Sequence, residues 1–79
     1  MMNTEVNEEA LVARLRSEDQ EYQRWEQEHR KHEDTLMSFE NHRYLTPEED
    51  LERKRVQKLK LAAKDRMMEI VRRSRSGQA

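Results

Sequence analysis

A seven-residue repeat of large side chains runs through the first half of the chain. From residue 11 onward, these side chains follow one another at steps of 4, 7, 3, 4, 3, 4 and 3 residues. They are Leu11, Leu15, Tyr22, Trp25, His29, His32, Leu36 and Phe39. Such spacing places them in one narrow stripe along a helix, and a stripe of this width packs against another helix. It predicts a single helix over residues 6–40, with Glu18 at the position that the stripe skips.

The composition also favours helices. Of 79 residues, 42% are charged and 33% are hydrophobic. Such a balance is found in disordered chains too, but those are rich in Pro, Gly and Ser. Here Gly and Pro occur once each, and strong helix formers such as Leu, Glu, Lys and Arg predominate.

The only proline lies in a stretch that specifies a turn, "HRYLTPEED". Thr46 is a preferred residue before a helix, and Pro47 suits the first helical position. Glu49 stands three residues after Thr46, which is the spacing of a capping box. The stretch therefore predicts a turn over residues 41–46 and a second helix over residues 47–73.

A short connection makes two helices antiparallel neighbours. Their charges agree, because residues 1–40 carry 11 acids and 5 bases whereas residues 41–79 carry 6 acids and 11 bases. The predicted seam between the helices consists of Leu15, Tyr22, Trp25, His29, His32, Leu36, Phe39, Val56, Leu59, Ala63 and Ile70. Three charge pairs are expected beside it, namely Glu26 with Lys60, Glu28 with Lys58 and Glu33 with Arg53.

The predicted fold is therefore all-α, an antiparallel two-helix hairpin that resembles a coiled coil. The hairpin occupies residues 6–73, between a flexible N-terminus at residues 1–5 and a disordered basic tail at residues 74–79. Two helices of this size bury too little apolar surface for high stability. Self-association into a dimer or a larger bundle is expected for that reason.

Several stretches resemble the YdcH family of short bacterial proteins, a domain of unknown function. The resemblance lies in "YQRWEQEHRKHE", in "YLTPEE" and above all in "KLKLAAKDRMMEI", and it extends over about residues 11–72. The matching residues are Tyr22, Trp25, His29, Leu36, Lys60, Leu61, Lys64 and Asp65. The chain departs from the family at His32 and Ala63, where leucine is usual, and both changes thin the core. The resemblance implies an antiparallel helical hairpin and brings no established activity, substrate or cofactor.

No residue pattern indicates catalysis. The chain has no cysteine, no glycine-rich phosphate loop and no serine with an organised base, so we expect no enzyme activity and no cofactor. His29 and His32 share a helix face and could bind a metal ion. Filling the helical seam is the favoured interpretation, and no metal site is predicted. Protonation of these imidazoles in the seam would weaken the packing at acidic pH.

Two surfaces of the second helix are candidates for binding. The first is a candidate interaction face for a partner protein or a second copy, formed by Leu61, Met67, Met68 and Val71. Burial in a homo-oligomer is an equal alternative for these residues. The second is a candidate basic face for nucleic acid, formed by Arg53, Lys54, Lys58, Lys60 and Lys64. Because the chain is slightly acidic overall, a solvated pairing face is favoured over nucleic-acid binding.

The sequence thus predicts a small cytoplasmic interaction or self-assembling protein, with a nucleic-acid-associated regulator as the alternative. The longest apolar run is four residues, Ala10 to Ala13. That is too short for a membrane span, and no membrane partner is expected. The identity of a partner, the pathway and the oligomeric state stay open at this stage.

Overall fold

The computed structural model describes residues 4–77, and the side chains of residues 8–76. This part of the chain forms three α-helices: α1 is Thr4–Glu18, α2 is Gln20–Glu40 and α3 is Pro47–Gly77. The predicted all-α class is confirmed. The prediction of two helices is wrong, because the expected first helix is divided in two.

The predicted ends of the hairpin also differ from the structure. Residues 4 and 5 belong to α1, and residues 74–77 continue α3 instead of forming a disordered tail. One contact joins these two ends, since the Arg75 guanidinium donates to the Glu8 carboxylate at 2.6 Å. The rest of both predicted segments, residues 1–3 and 78–79, lies outside the described residues.

The break between α1 and α2 is a single residue, Asp19. Its backbone is extended, with φ −100° and ψ 111°, and its side chain accepts a hydrogen bond from the Tyr22 amide at 2.9 Å. Aspartate is a favoured residue at this position because its carboxylate satisfies an amide that has no helical partner. The break coincides with the seven-residue step between Leu15 and Tyr22, where the stripe has no large side chain.

Contacts across the break show that α1 folds back onto α2. The Arg16 side chain donates to the Glu26 carboxylate at 2.8 Å. Ten residues of straight helix would separate these positions by about 15 Å along the axis. The Gln23 side chain donates to the Arg16 backbone carbonyl at 2.8 Å. That carbonyl lies in the last turn of α1, where helical partners run out.

Folding back creates the main core at one end of the molecule, which we call the three-helix end. Its buried residues come from all three helices: Leu11, Leu15, Tyr22, Met67, Ile70 and Val71. Val12 and Trp25 pack against this cluster and are partly buried. Burial there raises the pKa of the Tyr22 hydroxyl, as does the nearby Glu26 carboxylate, whereas Arg16 lowers it.

The other end of the molecule contains only α2, α3 and the turn between them. Leu36 on α2 and Val56 on α3 are buried at this two-helix end, outside the main cluster. Leu36, Arg53 and Gln57 line one cleft, while Tyr22 packs with Ile70 in the main core. The start of α2 therefore lies beside the end of α3.

The turn has the capping box that the sequence predicts. The Thr46 amide donates to the Glu49 carboxylate at 2.9 Å, and the Glu49 amide donates to the Thr46 hydroxyl at 3.1 Å. Hydrogen bonds from the Thr46 backbone amide and from the Thr46 side chain to the Glu49 carboxylate lower the pKa of Glu49. The box therefore fixes where α3 begins, and with it the short connection that holds α3 beside α2.

The three predicted charge pairs beside the seam are wrong. Glu26 binds Arg16 because α1 folds back over that position. The Glu28 carboxylate lies 3.6 Å from His32, and the Glu33 carboxylate lies 3.8 Å from His29. Two ion pairs that reach α3 are Glu8 with Arg75 and Glu21 with Arg73, both at the three-helix end.

None of the three helices is long and apolar enough to cross a membrane, as far as the described residues extend.

Ala63 tests how closely α3 packs. Its side chain is 1% exposed, so a larger side chain must displace the residues that cover it. We predict that Ala63→Leu lowers the free energy of unfolding by about 1–3 kcal/mol through overpacking. Ala62→Leu is the matched control, since Ala62 is exposed and leucine is a good helix former. Chemical denaturation of both variants measures the difference; equal stabilities would contradict the packing.

Thr46 tests the capping box through its pH dependence. The pKa of Glu49 is lowered from 4.5 in the folded chain, so its contribution is complete above that pH and is lost on acidification. We predict that Thr46→Ala lowers the melting temperature by a few degrees at neutral pH. The gap between variant and wild type should narrow as the pH falls below about 4.5. Thr35→Ala, within α2, serves as the control and should show no such narrowing.

Candidate interaction surface

The side of α3 that faces away from the core carries two large apolar side chains. Val56, Ala63 and Ile70 are buried and recur every seven residues, which places them on one side of the helix. Leu61 and Met68 are also seven residues apart but lie on the opposite side. Leu61 is 53% exposed and Met68 is 45% exposed. We call the stripe that contains these two residues the outer face of α3.

Three basic side chains and one acidic side chain, that of Asp65, surround this pair. Lys58, Lys64 and Arg72 are exposed, and helical spacing brings them beside Leu61 or Met68. None of the three forms an ion pair with another described residue. The outer face therefore combines two apolar side chains with cationic groups that have no acidic partner within the described chain.

A cleft adjoins one edge of the outer face. It has a volume of about 300 Å³ and lies where α1 crosses the other two helices. Met68 and Lys64 line it from α3, Val12 from α1, and Glu26 and His29 from α2. Both acidic and basic side chains line the cleft, so its charges are of mixed sign.

The predicted candidate interaction face is divided by the structure. Leu61 and Met68 are exposed, as that prediction requires. Met67 is 7% exposed and Val71 is 3% exposed, so neither can reach a partner in this conformation. Both lie on the side of α3 that α1 covers. The seven-residue repeat predicts one continuous first helix and therefore no third helix at that position.

The predicted seam lies mainly between α2 and α3, with one substantial exception. Leu59 is 40% exposed and does not belong to the buried seam. The buried seam residues are Leu15, Tyr22, Leu36, Val56, Ala63 and Ile70. The partly buried ones are Trp25, His29, His32 and Phe39. Leu15 reaches the core from α1, not from a continuous first helix.

The predicted candidate basic face is not uniform either. Arg53 and Lys54 both bind the Asp50 carboxylate, at 2.9 and 3.3 Å. These cations lower the pKa of Asp50, chiefly through the Arg53 hydrogen bond. Lys58, Lys60 and Lys64 form no ion pair within the described residues. Only three of the five predicted side chains are therefore uncompensated cations.

The two seam histidines are held apart from any larger group of ligands. Each approaches a glutamate four residues away on α2, His29 with Glu33 and His32 with Glu28. Among the described residues, no three His, Cys, Asp or Glu side chains are placed to hold a metal ion. His32 and Ala63 were expected to thin the core; Ala63 is buried and His32 is partly buried, and the thinning stays a prediction.

One contact that sequence reasoning missed is a stack of arginines on Trp25. The Arg24 guanidinium carbon lies 5.5 Å from the centre of the Trp25 ring, and that of Arg66 on α3 lies 5.9 Å away. Both distances are within the range of cation–π attraction. The sequence features that point to this contact are the tryptophan in the predicted seam, the arginine next to it and the basic second helix opposite.

The fold and this surface define a class: an all-helical chain whose exposed chemistry is a basic helix face with two apolar side chains. Comparisons with models of protein families, with curated proteins and with solved structures find no match for this chain. The resemblance to the YdcH family thus stays a prediction.

Proposed function

We propose that this chain is a small cytoplasmic interaction protein that binds another helix through the outer face of α3. It acts by docking and self-assembly, not by catalysis. The observation that carries the proposal is the exposure of Leu61 and Met68 at a seven-residue spacing, between Lys58, Lys64 and Arg72. That spacing matches one apolar seam of a helix pair.

The chemistry of the face specifies the partner. An apolar stripe on the partner helix would cover Leu61 and Met68, and acidic residues beside that stripe would pair with the flanking cations. Methionine adapts its shape readily and suits such a binding surface. The expected partner is therefore an acidic amphipathic helix, either in another protein or in a second copy of this chain.

The predicted helical hairpin belongs to this proposal as its long arm. In that arrangement α2 and α3 form the rod, which the YdcH resemblance also implies, and α1 closes one end. The described part of the molecule is 51 Å long and 24 × 17 Å across. A rod of these dimensions presents one side of α3, about 46 Å of helix, as a continuous docking edge.

The test replaces the two apolar side chains with glutamine, which keeps helix propensity and removes the apolar contact. Wild type and the double variant Leu61→Gln, Met68→Gln serve as baits in host lysate, with and without nuclease. We predict that a specific protein is retained by wild type after nuclease. The double variant should lose about tenfold or more of that retention, because a few central residues carry most of the binding energy of an interface.

The matched control is Met37→Gln. Met37 is 61% exposed, but it belongs to α2 and not to the outer face of α3. It should retain the same protein as wild type does. Equal retention by all three baits would contradict docking through the outer face.

Nucleic-acid binding is the second candidate, and Lys58, Lys60 and Lys64 favour it because they lack partners in the described chain. Phosphate contacts release counterions, so each lysine that contacts a duplex adds about 0.9 to the slope of log affinity against log salt. If the chain binds nucleic acid, nuclease abolishes the retention of partners by the bait. Replacing the three lysines with glutamine then makes the affinity for nucleic acid less dependent on salt. A salt-independent interaction that survives nuclease excludes it.

A further inference from the structure

The break at Asp19 is confined to one residue. On both sides of it the helical hydrogen-bond pattern is kept, because the Asp19 amide donates to Leu15 at 2.9 Å and the Gln23 amide donates to Asp19 at 3.0 Å. The surrounding sequence, "RLRSEDQEYQ", contains no proline or glycine. Rotation about the Asp19 backbone alone would join α1 and α2 into one helix of about 56 Å.

The apolar stripe is already in register for that longer helix. Leu15 and Tyr22 are seven residues apart, so in a continuous helix Leu11 and Leu15 would extend the stripe of α2. The same chain's α3 could not cover them there. After Val71 the described part of α3 reads "RRSRSG" and offers no apolar side chain.

Joining α1 and α2 into one helix also uncovers the surface of α3 that α1 occupies. Met67 and Val71 are at most 7% exposed when α1 is folded back, and they would lose that cover without it. An open chain on its own therefore exposes two complementary apolar surfaces, its own α1 and the vacated site on α3. Such a state is strongly disfavoured until both surfaces are covered.

We propose that two copies of the chain cover these surfaces by exchanging α1. Each straightened chain places its α1 on the Tyr22, Met67, Ile70 and Val71 site of the other. The contacts that now close one chain, including Arg16 with Glu26 and Glu8 with Arg75, are then made between chains. Exchange of an identical element is a common route to a dimer, because every contact already exists in the single chain.

This inference rests on the self-assembly part of the proposed function and assigns it a site separate from the outer face of α3. The partner is a second copy of this chain, because the site is shaped by α1 itself. Its control element is the backbone of Asp19, whose extended conformation is stabilised by the hydrogen bond from the Tyr22 amide.

Two substitutions at the Asp19 hinge between α1 and α2 favour opposite conformations. Asp19→Ala removes the cap and introduces the best helix former, which favours the straight helix and exchange. Gln20→Pro favours the folded-back chain, because proline suits the first position of α2 and keeps the preceding residue extended. Within a continuous helix the same proline would lose a hydrogen bond and clash with the preceding turn.

Sedimentation equilibrium over a wide range of chain concentration measures the result. Since a dimer opens two hinges, Asp19→Ala should tighten dimerisation by about 25-fold relative to wild type. Gln20→Pro should weaken it by at least about 100-fold. Asp34→Ala, an exposed aspartate within α2, is the matched control and should behave as wild type does.

The exchange also requires energy transfer between labels on different chains. Donor-labelled chains carrying Asp19→Ala and Glu9→Cys are mixed with acceptor-labelled chains carrying Asp19→Ala and Arg72→Cys. Because α1 of one chain would lie on α3 of the other, efficient transfer between chains is expected. Circular dichroism of each variant confirms that it is folded at the concentrations used.

Three results would overturn the exchange: an Asp19→Ala chain that associates no more than Asp34→Ala does, a dimer unaffected by Gln20→Pro, or a dimer without transfer between the two labels. Loss of dimer in Leu61→Gln with no response to the hinge variants would assign self-association to the outer face of α3. That result would contradict the exchange of α1 but not the proposed function. If Leu61→Gln loses partner binding and still forms the exchange dimer, both the proposed function and the exchange are supported.

Discussion

The burial of Leu11 and Leu15 against α3 is the contact on which the rest of the molecule depends. Two helices alone would leave Met67 and Val71 on an open surface, and α1 converts that surface into the main core. This requires α1 to turn back at Asp19, so a single extended residue determines where the core lies. Leu36 and Val56 are buried at the two-helix end, outside this cluster.

The same contact sorts the side chains of α3 into core and surface. Met67 and Val71 are withdrawn under α1, whereas Leu61 and Met68 stay outside with cations around them. Ion pairs between α3 and the other helices gather at the three-helix end, where Arg73 and Arg75 meet acidic partners. Exposed pairs of this kind stabilise a protein by only about 0.2–1 kcal/mol each. Their main effect is to orient α1 and α2 on α3.

Much of this arrangement could be predicted from the sequence, because helix periodicity and capping are local. The repeat gave the helical class, and the capping box at Thr46 and Glu49 placed the start of α3 correctly. The break at Asp19 could not be predicted in the same way, since a helix of good formers continues or bends according to distant contacts. Because the break was not predicted, the candidate interaction face included Met67 and Val71. The structure covers these two residues with α1, which the repeat had placed in line with α2.

The most direct test is a distance between α1 and the far part of α2. The chain has no cysteine, so spin labels at Glu9→Cys and Ser38→Cys, both exposed positions, would be the only ones present. A continuous helix would separate the two positions by about 44 Å. In dilute protein that keeps Asp19, the folded-back structure predicts a distance well below 44 Å. A second labelled pair, Lys54→Cys with Arg72→Cys, gives the reference distance along α3. A distance near 44 Å would contradict the three-helix end.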